Sequence, residues 1–116
     1  MIRAVMYFVD NPARAATWWA HAMGTDVHHE GEFFFIDVGD LEIGFHPNED
    51  GRNPSGSSTV AYFQVDDLEA KKSHFLDLGC AMHRGPLDID PTRSIAQLVD
   101  PFGNVFGLDG SLRAIQ

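Results

Sequence analysis

Glu42 and His46 stand four residues apart in the run Leu41-Glu42-Ile43-Gly44-Phe45-His46. Side chains alternate between the two faces of a strand, so both project to the same side. A carboxylate and an imidazole on one face are residue types used in proton transfer, or as part of a metal site. Glu42 is therefore the candidate acid/base if the chain catalyses anything. The chain has six histidines, but no HxH or HxxxH pair. His28 and His29 are neighbours that a strand would send to opposite faces. His74 falls in a helical segment, and His83 in the stretch after it. These read as exposed or hydrogen-bonded imidazoles rather than ligands. There is no GxSxG and no GxxxxGK[ST], the motifs of a serine nucleophile and of a phosphate cradle. Cys80 is the single cysteine. It rules out an internal disulfide framework and a CxxC zinc site, and after Gly79 it reads as a small buried apolar side chain. Asp66-Asp67 fits a helix cap, and Asp88/Asp90 a solvated loop.

The elements that must position these residues are legible in part. Residues 3–9 have the β-branched and aromatic content of a strand. Asn11-Pro12 predicts a helix start, since asparagine caps well and proline suits the first helical position. Gly24 predicts its left-handed stop. Strands are expected over 32–38 and 41–46, joined by a Gly39-Asp40 turn. Residues 47–58, PNEDGRNPSGSS, are almost all turn formers and charges, and read as a linker. After it come a strand at 59–65, a helix from Asp67 to Leu78-Gly79, and strands at 94–99 and 105–108 around Asp100-Pro101-Phe102-Gly103-Asn104. Trp18-Trp19 lie on the first helix. Adjacent helical residues diverge by about 100°, so at least one belongs to the core and the other to an edge or a subunit interface.

Length and charge narrow the function classes. At 116 residues the chain reads as a single domain, 44% hydrophobic and 22% charged, an ordinary globular composition. Seventeen acidic residues against eight basic ones leave a net charge of −9. That disfavours nucleic acid and anionic membranes, which are bound through clustered Lys and Arg. No apolar run reaches the ~20 residues of a membrane span, and no signal peptide is expected. A cytoplasmic protein is the expectation.

The pattern before the linker repeats after it with an offset of 56 residues: Val9-Asp10-Asn11 falls on Val65-Asp66-Asp67, Ala4 on Val60, and Tyr7 on Phe63. The helix-ending glycines Gly24 and Gly79 agree within one residue. Such self-similarity is the mark of a duplicated unit. With Leu98-Val99-Asp100-Pro101-Phe102-Gly103-Asn104 before a short apolar strand, the chain resembles the vicinal oxygen chelate superfamily. This group includes glyoxalase I, extradiol dioxygenases and the fosfomycin- and bleomycin-resistance proteins. The resemblance implies an α+β fold of two tandem βαβββ units, about 3–46 and 59–109, with mixed sheets curled around a cleft. It also implies metal ligands early in each unit's first strand and in its last strand. Those positions here are Ala4 and Val60, then Glu42 and Gly107. Only Glu42 is a donor, and one carboxylate cannot hold a divalent ion. The expectation is a protein with no metal and no cofactor.

Taking the inherited positions as inward, alternation places Ala4, Met6 and Phe8 in the cleft and Val5, Tyr7 and Val9 in the core. Likewise Phe33, Phe35 and Asp37 face the cleft, with Phe34, Ile36 and Val38 behind them, while Val60, Tyr62 and Gln64 line the second half. The expected ligand site is Met6, Phe8, Phe33, Phe35, Glu42, His46, Tyr62 and Gln64, a wall that stacks planar rings and attracts cations. The resemblance to the bleomycin-resistance group implies a homodimer that sequesters an antibiotic or toxic natural product. The alternative is a glyoxalase-like lyase or isomerase that uses Glu42.

Overall fold

In the computed structural model the described residues are 2–48 and 60–111. They form ten elements: β1 (Ala4–Val9), α1 (Pro12–Met23), β2 (His28–Glu30), β3 (Phe33–Val38), β4 (Leu41–Pro47), β5 (Tyr62–Gln64), α2 (Leu68–Asp77), β6 (Ala81–Asp90), β7 (Arg93–Val99) and β8 (Val105–Gly110). The chain divides into two compact units, Met1–Gly56 and Ser57–Gln116. Each runs βαβββ and builds one mixed four-stranded sheet, ordered β1-β4-β3-β2 in the first unit and β5-β8-β7-β6 in the second. The outer pairs β1–β4 and β5–β8 are parallel, and the remaining pairs are antiparallel. Pro47 closes β4, and the rest of the expected linker from residue 49 lies outside the described residues.

The helix ends follow their capping residues. Asn11 Oδ1 accepts from Arg14 N at 3.1 Å with Pro12 next in line, and Gly24 takes the left-handed conformation at φ 69°. Asp67 caps α2 in the same way, accepting from Ala70 N at 3.0 Å. In unit 1, α1 packs on the sheet through Ala15, Ala16, Trp19 and Ala20 against Tyr7, Val9, Ile36, Ile43 and Phe45, all buried. Trp19 is fully buried and stacks on Tyr7 with centroids 5.8 Å apart, while Trp18 meets it edge-on at 5.2 Å and stays half-buried. In unit 2 the core is Leu68, Phe75, Ala96, Leu98, Phe106 and Leu108.

The Asp100–Asn104 turn is an Asx turn. Buried Asp100 Oδ1 accepts from Phe102 N at 3.0 Å and from Asn104 N at 2.8 Å, and Gly103 supplies the positive φ of 90°.

Two strands go beyond the elements read from the sequence. β2 is three exposed residues at the sheet edge, paired with β3 alone. β6 is ten residues long, exposed throughout, with register shifts against β7. The expected solvated loop at Asp88/Asp90 is thereby corrected. Both residues lie in β6, where Asp88 accepts from Ser94 Oγ at 2.6 Å and Asp90 accepts from Thr92 N and Oγ1. An exposed edge strand buries no apolar face, and in β6 the Gly85-Pro86 pair, which reads as a turn, cuts the alternation down to Leu87–Asp90.

Cys80 is buried, and desolvation together with the nearby Asp100 pushes its thiol up to about 12. An acid whose pKa is raised by folding favours the native state below its unfolded pKa. That contribution fades as pH climbs from about 9 towards 12. The native protein is expected to resist iodoacetamide at mildly alkaline pH, and the urea-unfolded chain to react fully. Equal rates in the two states would contradict this burial.

Candidate functional site

The helix-free face of the unit 1 sheet carries the predicted residues. Residues opposite one another across a ladder share a face, and register assembles them into cross-strand rows. The central row is Met6–Gly44–Phe35–His28, taken across β1, β4, β3 and β2. To one side, Phe8 stands opposite His46, and to the other Ala4, Glu42 and Asp37 align. The six predicted unit 1 residues, Met6, Phe8, Phe33, Phe35, Glu42 and His46, are brought together on this face. Four aromatic side chains form a continuous run: His28 to Phe35 at 5.3 Å, Phe35 to Phe33 at 5.4 Å, and Phe33 to His46 at 4.6 Å between centroids. Asp37 reaches back to His28, Oδ2 to Nε2 at 3.8 Å.

Gly44 makes this packing possible. A Cβ there would come within 2.8 Å of Phe33 Cε2 and 2.9 Å of Met6 Cε, so these side chains rest directly on the β4 backbone. Glycine inside a strand often marks such a close approach, and that signal was available in Ile43-Gly44-Phe45.

In unit 2 the equivalent row is Tyr62–Gly107–Gln97–Arg84. The Tyr62 ring lies over Gly107, where any Cβ would collide with it. The ring brings its hydroxyl to Gln97, whose Nε2 donates to Tyr62 Oη at 2.7 Å. Gln64 stands on the next row, opposite Asp109. Arg84 escaped the sequence reading because the β6 pairing that places it was not visible in it, and Gln97 because the register of β7 against β8 was not. The rows also correct the matching of last-strand positions. Gly107 corresponds to Gly44, not to Glu42, since Met6 and Tyr62 face the two glycines in the same parallel register.

The donor set does not fit a metal ion. Glu42 has Asp37 opposite and Ala4 beside it. Among the described residues no group of three or more His, Cys, Asp or Glu is placed to hold a metal ion.

A family model described as "Glyoxalase-like domain" matches residues 4–108. The chain belongs to the glyoxalase-like domain family. Solved structures of the glyoxalase/bleomycin resistance/dioxygenase superfamily share this glyoxalase-like fold. One is a family enzyme from Burkholderia phytofirmans PsJN, 20% identical, with TM-score 0.79, covering 95% of this chain and 98% of that one. Another is TnmS3, an antibiotic binding protein from Streptomyces sp. CB03234, 21% identical, with TM-score 0.76, covering 96% and 95%. A third, from Sphaerobacter thermophilus DSM 20745, is 16% identical, with TM-score 0.76, covering 94% and 95%. Among curated proteins nothing matches. No helix of the described residues is long and apolar enough to cross a membrane.

Proposed function

We propose that this glyoxalase-like domain binds a planar aromatic molecule on the helix-free face of unit 1 and holds it without turnover. The ligand class is an antibiotic or toxic natural product, and sequestration is the means of resistance. The observation that carries the reading is the run His28–Phe35–Phe33–His46, half-exposed beside Met6 and Glu42. Ring faces attract planar π systems and cations, each aromatic contact being worth about 0.5–1.5 kcal/mol beyond area burial. Glu42 and Asp37 add negative charge at one end of the face, which suits a cationic ring. The likeness to an antibiotic binding protein supports the same reading. A homodimer belongs to the proposal, closed two-fold pairs being the commonest soluble oligomer. Sedimentation equilibrium that returns the mass of one chain at micromolar protein would refute that part.

Proflavine, a planar tricyclic cation, is the probe, with acridone as its neutral counterpart. Proflavine is expected to bind at about micromolar Kd, and Phe35→Ala to weaken it by about tenfold. Glu42→Gln should weaken proflavine more than acridone, since it removes charge and keeps shape. Binding that is indifferent to Phe35 would overturn the site. A compound returned chemically altered by wild type and unaltered by Glu42→Gln would establish a lyase or isomerase instead.

A further inference from the structure

Unit 2 carries a pocket of a different chemistry. It measures about 170 Å³ and is lined by Tyr62, Arg84, Gly85, Leu87, Ile95, Ala96 and Gln97. Two neighbouring cross-strand rows build it, Tyr62–Gly107–Gln97–Arg84 and Gln64–Asp109–Ile95–Leu87. Between Arg84 and Leu87 lie two residues, Gly85 and Pro86, against the single Ala96 on β7, so β6 bulges here. Bulges bend the strand and re-aim its side chains. Gly85, at φ 88°, sits where a Cβ would come 3.0 Å from Ile95 O, so the bulged backbone lies tight on β7 and forms the wall.

Arg84 and Tyr62 offer donors to this pocket. Arg84 is one of eight basic residues in a chain with seventeen acidic ones. Among the described residues its guanidinium nonetheless has no ion-pair or hydrogen-bond partner. Tyr62 Oη accepts from Gln97, which leaves the hydroxyl hydrogen free to donate. The carboxylate on the second row is already engaged. Asp109 accepts three charge-assisted bonds from Arg93, at 2.7, 2.9 and 3.2 Å, which hold it below the usual carboxylate range. Asp88, also on β6, is bound by Ser94 Oγ. Leu87 and Ile95 supply an apolar wall facing each other across the ladder.

The geometry points to a binding site for a small carboxylate with a single-ring apolar body. The carboxylate pairs with the Arg84 fork, the geometry guanidinium groups favour, and accepts from the Tyr62 hydroxyl. The ring lies against Leu87 and Ile95. The volume admits one ring and falls below the ~300–1,000 Å³ of sites for larger ligands. This site lies wholly in unit 2 and stands whether or not the unit 1 face binds cations.

Benzoate is the probe, titrated into the full chain and followed by the side-chain amide signal of Gln97 and the Nε–H signal of Arg84. Saturable shifts at these two groups are expected, with Kd of about millimolar or tighter. Arg84→Gln should weaken binding by about tenfold or more, and Tyr62→Phe by about threefold. Arg14→Gln removes the same charge from exposed α1 and should leave benzoate affinity unchanged, which separates a local site from the overall potential. Benzamidine, with the same ring and the opposite charge, should not shift either signal. Absence of saturation, equal loss in the Arg84 and Arg14 variants, or equal binding of benzamidine would each overturn the proposal. Proflavine binding is expected to survive Arg84→Gln, so the two sites succeed or fail separately.

Discussion

Trp19→Ala is expected to remove about 3–5 kcal/mol of stability, the range for emptying a large aromatic position in a close-packed core. Trp19 has no exposed surface, stacks on Tyr7 from β1 and is met edge-on by Trp18. Its neighbours Ala15, Ala16 and Ala20 are too small to fill the space. Domains of this size are stable by about 5–15 kcal/mol in all, so the loss is a large share of the total. Urea unfolding should show the midpoint falling with the slope little changed, and Tm lower by about 10 °C or more. Trp19→Phe should lose clearly less, because it keeps a ring against Tyr7. A loss below about 1 kcal/mol for the alanine variant would mean that α1 is not anchored where the packing places it.

Gly44→Val should separate folding from binding. Gly44 is not at positive φ, and valine is a good strand residue, so the β4 backbone accepts it. Its side chain would occupy the space now filled by Phe33 and Met6. These are half-exposed and exposed side chains able to swing outward, so the stability cost is expected near the low end of about 1–3 kcal/mol for overpacking. The run of rings through Phe33 would be broken, however. Proflavine affinity should then fall by about 100-fold, or ~2.7 kcal/mol. Near-ultraviolet circular dichroism should keep the tryptophan signature, because Trp19 packs on the opposite side of the sheet. Unchanged proflavine affinity in a folded Gly44→Val protein would remove the central row from the site.

The two glycines show where sequence reading stops. Val5-Tyr7-Val9 behind and Ala4-Met6-Phe8 in front were legible because a strand buried on one face must alternate. Burial follows that alternation, with Tyr7 and Val9 buried while Ala4 and Met6 are exposed. The duplication was legible because the helix caps Asn11 and Asp67 and the strand exits before them are local chemistry repeated at a fixed offset. The glyoxalase-like fold followed from these together with the Asp100 turn, whose hydrogen bonds close within five residues.

Register was decided by the tertiary structure alone. Glu42 and Gly107 both sit in a unit's last strand, yet Gly107 pairs with Tyr62 as Gly44, not Glu42, pairs with Met6. The partner of a parallel strand depends on crossing geometry through the intervening helix, which no local pattern encodes. The same holds for Arg84. Its segment Ala81–Asp90 alternates only over Leu87-Asp88-Ile89-Asp90, after the turn-forming Gly85-Pro86, and as an exposed edge strand it is stabilised by its ladder to β7 and not by a buried face. Only that ladder puts Arg84 in line with Gln97, Gly107 and Tyr62. Residue types along the chain determined which side chains were available for binding. The hydrogen-bond register between strands distant in sequence decided which of them stand together.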